Sequence, residues 1–436
     1  MARISEDLLS SIFARVESRV DARTFEVFTT CFTNTLASTI LDQPDGTLFA
    51  LTGDIPAMWL RDSTAQLAPY LHFAAADPLL TDTLTRIVRR QLDYISIDPY
   101  ANAFNSEPNG NGHNTDRTDL SPWVWERKYE VDSLCYPIQL AHDLWRVTGS
   151  RAHLDESFRS AAATIIDLWT TEQDHETRSA YRFERLDGPS SDSLVRDGLG
   201  AEVVPTGLTW SAFRPSDDAC VLGYNVPGNI FAAVELAHIE QIALEVFEDD
   251  LLAADARTLR EAIERGIRAH AVVSTDNLGE IYAYEVDGRG NHLLMDDANV
   301  PSLLALPLLG WCEPTEPTYS ATRQFILSDS NPFYFSGLAA AGIGSPHTPD
   351  RHIWPIALAV HGLTSTNLDE KLEILATLCK TDAGTDLMHE SFNKDDPGIF
   401  TRPWFSWANA MFCELVLDVV GLRAARPVHV TSEERR

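Results

Sequence analysis

Positive charge is scarce in this chain of 436 residues. Lys and Arg number 34 against 64 Asp and Glu, a formal charge of −30. A surface that acidic repels nucleic acid and anionic membranes, and it suits a neutral ligand. Cysteines are few: Cys31, Cys135, Cys220, Cys312, Cys379 and Cys413. No two are close in sequence, so there is no CxxC pair and no Cys/His cluster of zinc spacing. Their settings, such as TTCFTNT and NAMFCELVL, read as buried free thiols. No HExxH pair, Gly-rich phosphate loop, Ser-centred nucleophile elbow or EF-hand spacing occurs, and no cofactor or metal is expected. No apolar run reaches the length of a membrane span. The start, MARISEDLLSSIF, carries Glu6 and Asp7 where a secretory leader needs an apolar core. The expectation is a cytoplasmic protein with no nucleic-acid or membrane partner. Nothing in the sequence signals an oligomeric state.

Strand signals are thin as well. Alternating β-branched runs are short and isolated, as at 181–184 and 280–286. What is there is helical periodicity. One pattern recurs six times: a polar loop, a proline, then an apolar helix rich in small and aromatic residues. The prolines are Pro56, Pro137, Pro227, Pro301, Pro355 and Pro403. Proline suits the first helical turn, where its missing N–H costs nothing. Between these lie more polar amphipathic segments, among them LTDTLTRIVRRQLDYI, HLDESFRSAAATIIDLW and LDEKLEILATLCK. Apolar helices alternating with amphipathic ones imply an inner and an outer ring. Six of each make an all-α (α/α)6 barrel in one domain spanning 1–436. A helix pair at about 5–41 supplies the remaining outer partner, and a polar tail covers about 422–436. The loop at 100–129, too long for a plain connection, should drape over the barrel mouth.

In such a barrel the loops before the inner helices converge on one end. The first, TGDIPAMWLRDSTAQ, sets Asp54, Arg61 and Asp62 among Ile55, Met58 and Trp59. Charge interleaved with aromatic surface is the chemistry of a sugar pocket. The third is FRPSDDA, with adjacent carboxyls at Asp217 and Asp218. Their repulsion raises one pKa if the pair is partly buried, as a general acid needs. The sixth is LMHESFNKDD, with Glu390 beside His389. Opposed carboxyls across a pocket are the minimum for hydrolysing a glycosidic bond. Further rim candidates are Glu130 and Asp132, Asp296 and Asp297, His352 and Trp354, and Arg402 and Trp404.

With these motifs the chain resembles glycoside hydrolase family 125, the exo-α-1,6-mannosidases. The resemblance rests on TGDIPAMWLRDSTAQ, YEVDSLCYP, FRPSDDA, MDDANVPSLL, MHESF and FTRPWFSWANAMF, in that order over 52–412. It implies an (α/α)6 barrel that releases mannose from the non-reducing end of α-1,6-mannosides, with inversion and without metal. It implies that the acid is Asp217 or Asp218, with Asp217 preferred, and that the base is Glu390. Inversion leaves room for water, so a carboxyl separation of about 6.5–9.5 Å is expected. Arg61 and Asp62 are expected on the terminal sugar, and Asp54, Trp59, Asp218, Asp297 and His389 complete the substrate-binding set. Trp59, Trp123, Trp125 or Trp404 could stack on sugar faces. Two rival readings are another (α/α)6 glycosidase (a calcium-dependent α-1,2-mannosidase or an α-glucosidase) and a carbohydrate-binding protein without turnover. Chelator sensitivity separates the first, and binding without hydrolysis the second.

Overall fold

The computed structural model describes residues 3–424. Most of the expected polar tail, from 425 on, lies outside the described residues. In chain order the helices are α1 (Glu6–Glu17), α2 (Ala22–Asn34), α3 (Leu60–Ala65), α4 (Ala68–Leu71), α5 (Pro78–Ile97), α6 (Val131–Thr148) and α7 (Glu156–Glu172). They continue with α8 (His175–Arg178), α9 (Val226–Ile242), α10 (Asp250–Gly266), α11 (Pro317–Ile326), α12 (Pro355–Leu363), α13 (Leu368–Lys380) and α14 (Ser406–Val419). They form the (α/α)6 barrel.

Sequence sorts them into two rings. The inner helix α9, VPGNIFAAVELAHIEQI, is apolar on every side and buried along almost its whole length. Its neighbour α10, DLLAADARTLREAIERG, is amphipathic and turns Asp250, Glu261 and Arg265 outward. Each fully buried Leu or Ile stabilises the wall by about 1.5–3 kcal/mol. Inner helices α3, α6 and α9 pack in series, and α14 joins α12 to α3. Outside them α5 packs on α7 and α7 on α10, while α2 packs on α13 and α14 and α1 on α2. One continuous apolar core runs through both rings.

The two kinds of helix also start differently, apart from inner α9, which Asn225 caps, and outer α1, whose Ser5 makes no cap. Outer helices α2, α5, α7, α10 and α13 begin at Asp21, Asp77, Asp155, Asp249 and Asn367, whose side chains accept from the first backbone N–H groups. Inner helices α3, α6, α12 and α14 begin at Trp59, Glu130, Trp354 and Phe405, none of which makes a side-chain cap. Their N-terminal ends keep free N–H groups and positive dipole ends.

Small antiparallel sheets fasten the residues just before three inner helices. Met58–Trp59 pairs with Ala103–Phe104, which pairs with Val124–Glu126, so both ends of the long 100–129 loop are anchored at the start of α3. Tyr224–Asn225 pairs with Glu285–Val286 before α9, and His352–Ile353 with Ser391–Asn393 before α12. Residues 181–184 form no strand and contribute one bridge, Glu184 to Arg117.

Of the marker prolines, only Pro227 and Pro355 stand in a first helical turn; Pro56 and Pro403 fall a few residues short of α3 and α14, and two other prolines depart further. Pro137 lies inside α6, which starts earlier, at Val131. After Pro301, residues 301–311 form turns rather than a helix. Pro307 lacks the N–H that a helix interior needs. The buried Asp296 carboxylate instead accepts from Leu303 N (2.8 Å) and Leu304 N (3.0 Å) and holds the turn. Among the described residues no helix is long and apolar enough to cross a membrane. All six cysteines are free and buried.

Candidate active site

The uncapped inner helix ends surround a cavity of about 270 Å³. Trp59, Arg61 and Asp62 reach it from α3, Trp354 from the start of α12, and Phe405 and Trp407 from α14. Loops bring Ser216 and Asp217, Asn299, His347, Glu390 and Arg402. The indole N–H groups of Trp59 and Trp407 are buried and have no partner within the protein. A pocket with aromatic walls and free donors suits a sugar.

Arg61 is the electrostatic centre of one wall. Its Nη1 donates to Glu130 Oε2 at 2.6 Å and Asp132 Oδ2 at 3.1 Å, and its Nη2 to Asp217 Oδ1 at 3.4 Å. Asp62 Oδ2 stands 3.6 Å from Nε, which makes no hydrogen bond. Both Arg61 and Asp62 are 3% exposed. Arg61 therefore gives its Nη groups to carboxylates and has only Nε left over. Burial pushes Asp62 and Asp132 each up to about 6, against the pull of Arg61.

Asp217 sits in the turn FRPSDDA. Arg214 N donates to Asp218 O at 2.8 Å, Asp217 N to Arg214 O at 2.9 Å, and Lys128 Nζ to Asp217 O at 2.7 Å. The turn puts Asp217 in the left-handed region, φ 69°. Such strain in a non-glycine residue collects at functional sites. Its effect is to part the two carboxyls. Asp217 lines the cavity, whereas Asp218 lies behind it, accepting from Ser216 Oγ at 3.4 Å. Burial opposes charge on Asp217, but Lys128, a bond with Glu130, and Arg61 outweigh it and hold the carboxyl below its usual range. Burial drives Glu130 the other way, well above its usual range.

Glu390 stands on the wall beside a second arginine. Arg402 Nη1 lies 3.6 Å from Glu390 Oε1, and Arg402 Nε and Nη2 donate to Asp54 Oδ1 at 2.9 and 2.6 Å. Asp54 thus grips Arg402 rather than lining the cavity. His389 also lies off the wall. Neighbours in extended chain point to opposite sides, and His389 stacks on Phe400 at 3.7 Å, its Nε2 3.2 Å from Asp382 O. Asp297 stands one step back: its Oδ1 accepts from Asn299 Nδ2 at 3.3 Å, and Asn299 reaches the cavity.

Of the aromatic candidates, Trp59 and Trp354 line the cavity. Trp404 does not; its Nε1 donates to Asn34 Oδ1 at 2.7 Å. Trp123 packs near Tyr94 and Trp125 beside Trp59. Residues that sequence reasoning did not single out are Asn299, His347 and Trp407. Asn299 and Trp407 stand inside motifs already noted, MDDANVP and FTRPWFSW. His347 lies in SPHTP between two prolines, a mark of a fixed loop. Burial opposes its charge, but Asp218, Asp217 and Glu390 outweigh it and push it up to about 9.

Among the described residues, ligand atoms of Asp192, Asp218 and His347 lie within 4.8 Å of one another. Cations already serve this cluster. Lys128 Nζ donates to Asp192 Oδ1 at 2.9 Å, and His347 carries its own charge. The site has no open set of metal ligands there.

Comparisons with known proteins agree with this picture. A family model described as metal-independent α-mannosidase, glycoside hydrolase family 125, matches residues 21–417. The meiotically up-regulated gene 157 protein of Schizosaccharomyces pombe is 38% identical over 95% of this chain and 85% of its own length. A solved structure of a Streptococcus pneumoniae metal-independent α-mannosidase, a non-productive substrate complex with α-1,6-mannobiose, is 49% identical with a TM-score of 0.94. The match covers 96% of this chain and all of that one. A bacterial glucoamylase complexed with acarbose shares only the fold, at 12% identity and a TM-score of 0.60 over 91% of this chain and 56% of that one.

Proposed function

Because the chain belongs to glycoside hydrolase family 125, the metal-independent α-mannosidases, we propose that its cavity removes single mannose residues from the non-reducing end of α-1,6-linked mannosides. The observation that carries this reading is the pair of carboxyls lining one cavity, Asp217 beside Arg61 and Glu390 beside Arg402. The linkage is taken over from the mannobiose held by the Streptococcus pneumoniae relative.

In this mechanism Asp217, protonated, gives its proton to the glycosidic oxygen as the bond from that oxygen to C1 breaks. Glu390, ionised, takes a proton from a water whose oxygen bonds to C1 from the opposite face, so the product is inverted. Arg402, gripped by Asp54, stands beside Glu390 and aims it. Trp59, Trp354 and Trp407 offer apolar faces for the sugar, and the free indole N–H groups of Trp59 and Trp407 meet its hydroxyls. Asn299 and His347 add polar contacts at the mouth. Six buried free thiols suit a reducing compartment, and a cytoplasmic place of action belongs to the proposal.

The test is incubation with α-1,6-, α-1,3- and α-1,2-mannobiose. The expected result is mannose from the α-1,6 disaccharide alone, appearing first as the β-anomer by NMR. Release chiefly from the α-1,2 disaccharide, or α-mannose as first product, would overturn the reading.

A further inference from the structure

We propose that Glu130 and Asp217 work as one proton-holding pair, in which Glu130, sealed behind Asp217, keeps the acid supplied with its proton at neutral pH. The proposal rests on Asp217 being the acid.

The geometry comes first. Glu130 is the uncapped residue at the start of α6, and its side chain is fully buried. The Asp217 side chain is 25% exposed, on the cavity wall. The two carboxyls converge on the same donors. Arg61 reaches Glu130 through Nη1 and Asp217 through Nη2. Asn102 Nδ2 stands 3.4 Å from Glu130 Oε1 and 3.5 Å from Asp217 Oδ1. That amide already donates to Glu126 Oε2 at 2.9 Å, so one hydrogen remains for two carboxyls. The two carboxyls are close enough to hydrogen-bond to each other. Two carboxyls bond to each other only through a proton.

Charge counting leads to the same place. Asp62, Glu130, Asp132 and Asp217 all crowd onto Arg61. The other groups facing the pair are Lys128, Glu126 and Asp192 from loops, Arg185 behind Asp192, Asp218 in the same turn, and His347 across the mouth. Arg61 and Lys128 cannot balance Asp62, Glu126, Glu130, Asp132 and Asp217 together, so the cluster must hold protons. Ser133 Oγ (2.7 Å) and Arg61 both bind Glu130 Oε2, leaving Oε1 as the oxygen turned to Asp217. As with any coupled dyad, the proton belongs to the pair rather than to either member.

The cycle balances. The Asp217 O–H bond breaks as its proton goes to the departing oxygen, and Glu390 gains a proton from water. Glu390 then releases that proton to solvent, and the pair takes one up through the exposed Asp217.

Without Glu130 the proton shared by the pair would rest on Asp217 alone, facing Arg61, Lys128 and His347, and would be lost at lower pH. The test is kcat/KM for α-1,6-mannobiose against pH. Glu130→Gln should move the alkaline limb at least one unit toward acid, with at least tenfold lower turnover at neutral pH. An aryl α-mannoside with an activated leaving group should be largely spared. Glu130→Asp should move the limb the same way by less, and it serves should the glutamine variant fail to fold. An unmoved limb in a folded variant, or equal loss on both substrates, overturns the pair. Asp217→Asn run alongside separates the two ideas. If that variant also loses both substrates equally, Asp217 is not the acid and the reading beneath falls.

Discussion

At the scale of single residues, the strained turn at Asp217 decides which of two adjacent carboxyls lines the cavity. A general acid matters most when the leaving group is poor. Asp217→Asn is therefore expected to cripple α-1,6-mannobiose hydrolysis and to spare an activated aryl mannoside. Asp218→Asn, acting through Ser216 and His347, should lower both rates alike. The reverse pattern in steady-state kinetics would exchange the two roles. Glu390→Gln should lower turnover about 10²-fold or more on either substrate, since a base acts on water whatever the leaving group. Thermal melting should stay near that of the parent. That Asp217 and Glu390 lie at the cavity was legible beforehand, because acids at rim loops declare themselves by type. Asp54 and His389 were expected on the sugar and stand off the cavity wall instead. What the sequence could not reveal is direction: whether Asp54 turns toward substrate or toward Arg402 depends on a chain segment almost 350 residues away.

At the scale of elements, the loops matter as much as the helices they precede. Gly344 illustrates this. A Cβ there would stand 2.1 Å from His352 O, in the strand that leads into α12. Its own carbonyl accepts from Ala298 N at 3.1 Å, so it also tethers the loop that carries Asn299. Gly344→Ala must push backbone from backbone. The expected cost is about 1–3 kcal/mol, seen as a lower melting temperature, together with a raised KM as His347 and Asn299 shift. A variant with unchanged melting and KM would show the contact to be soft. Helix types were readable from periodicity, since apolar α9 and amphipathic α10 differ plainly. Helix starts were not, because proline was taken as the marker. In α6 the helix begins well before Pro137, and after Pro301 the carboxylate of Asp296 holds turns in place of a helix. A long-range side-chain to backbone bond leaves no local trace in sequence.

At the scale of the whole molecule, acidity and architecture bear on metal dependence. The rim carboxylates are already served by Arg61, Arg402, Lys128, Arg185 and His347. Exhaustive EDTA treatment is expected to leave the rate of mannose release unchanged, and added calcium to do nothing. A loss restored by calcium would contradict the acid–base assignment. The ring itself is closed by its two ends. Thr35 and Ser406 bond through their hydroxyls at 2.9 Å, Cys31 Sγ donates to Asn409 Oδ1 at 3.4 Å, and Asp54 meets Arg402. During translation, then, Asp54 waits for its partner until 348 further residues have been made. Helices α3 to α10 can form and pack earlier, but a nascent chain released before residue 402 has neither Phe405 nor Trp407 and leaves Glu390 without its arginine. Catalysis waits for this segment, and a product truncated before it would be inert toward glycans rather than a weakened enzyme.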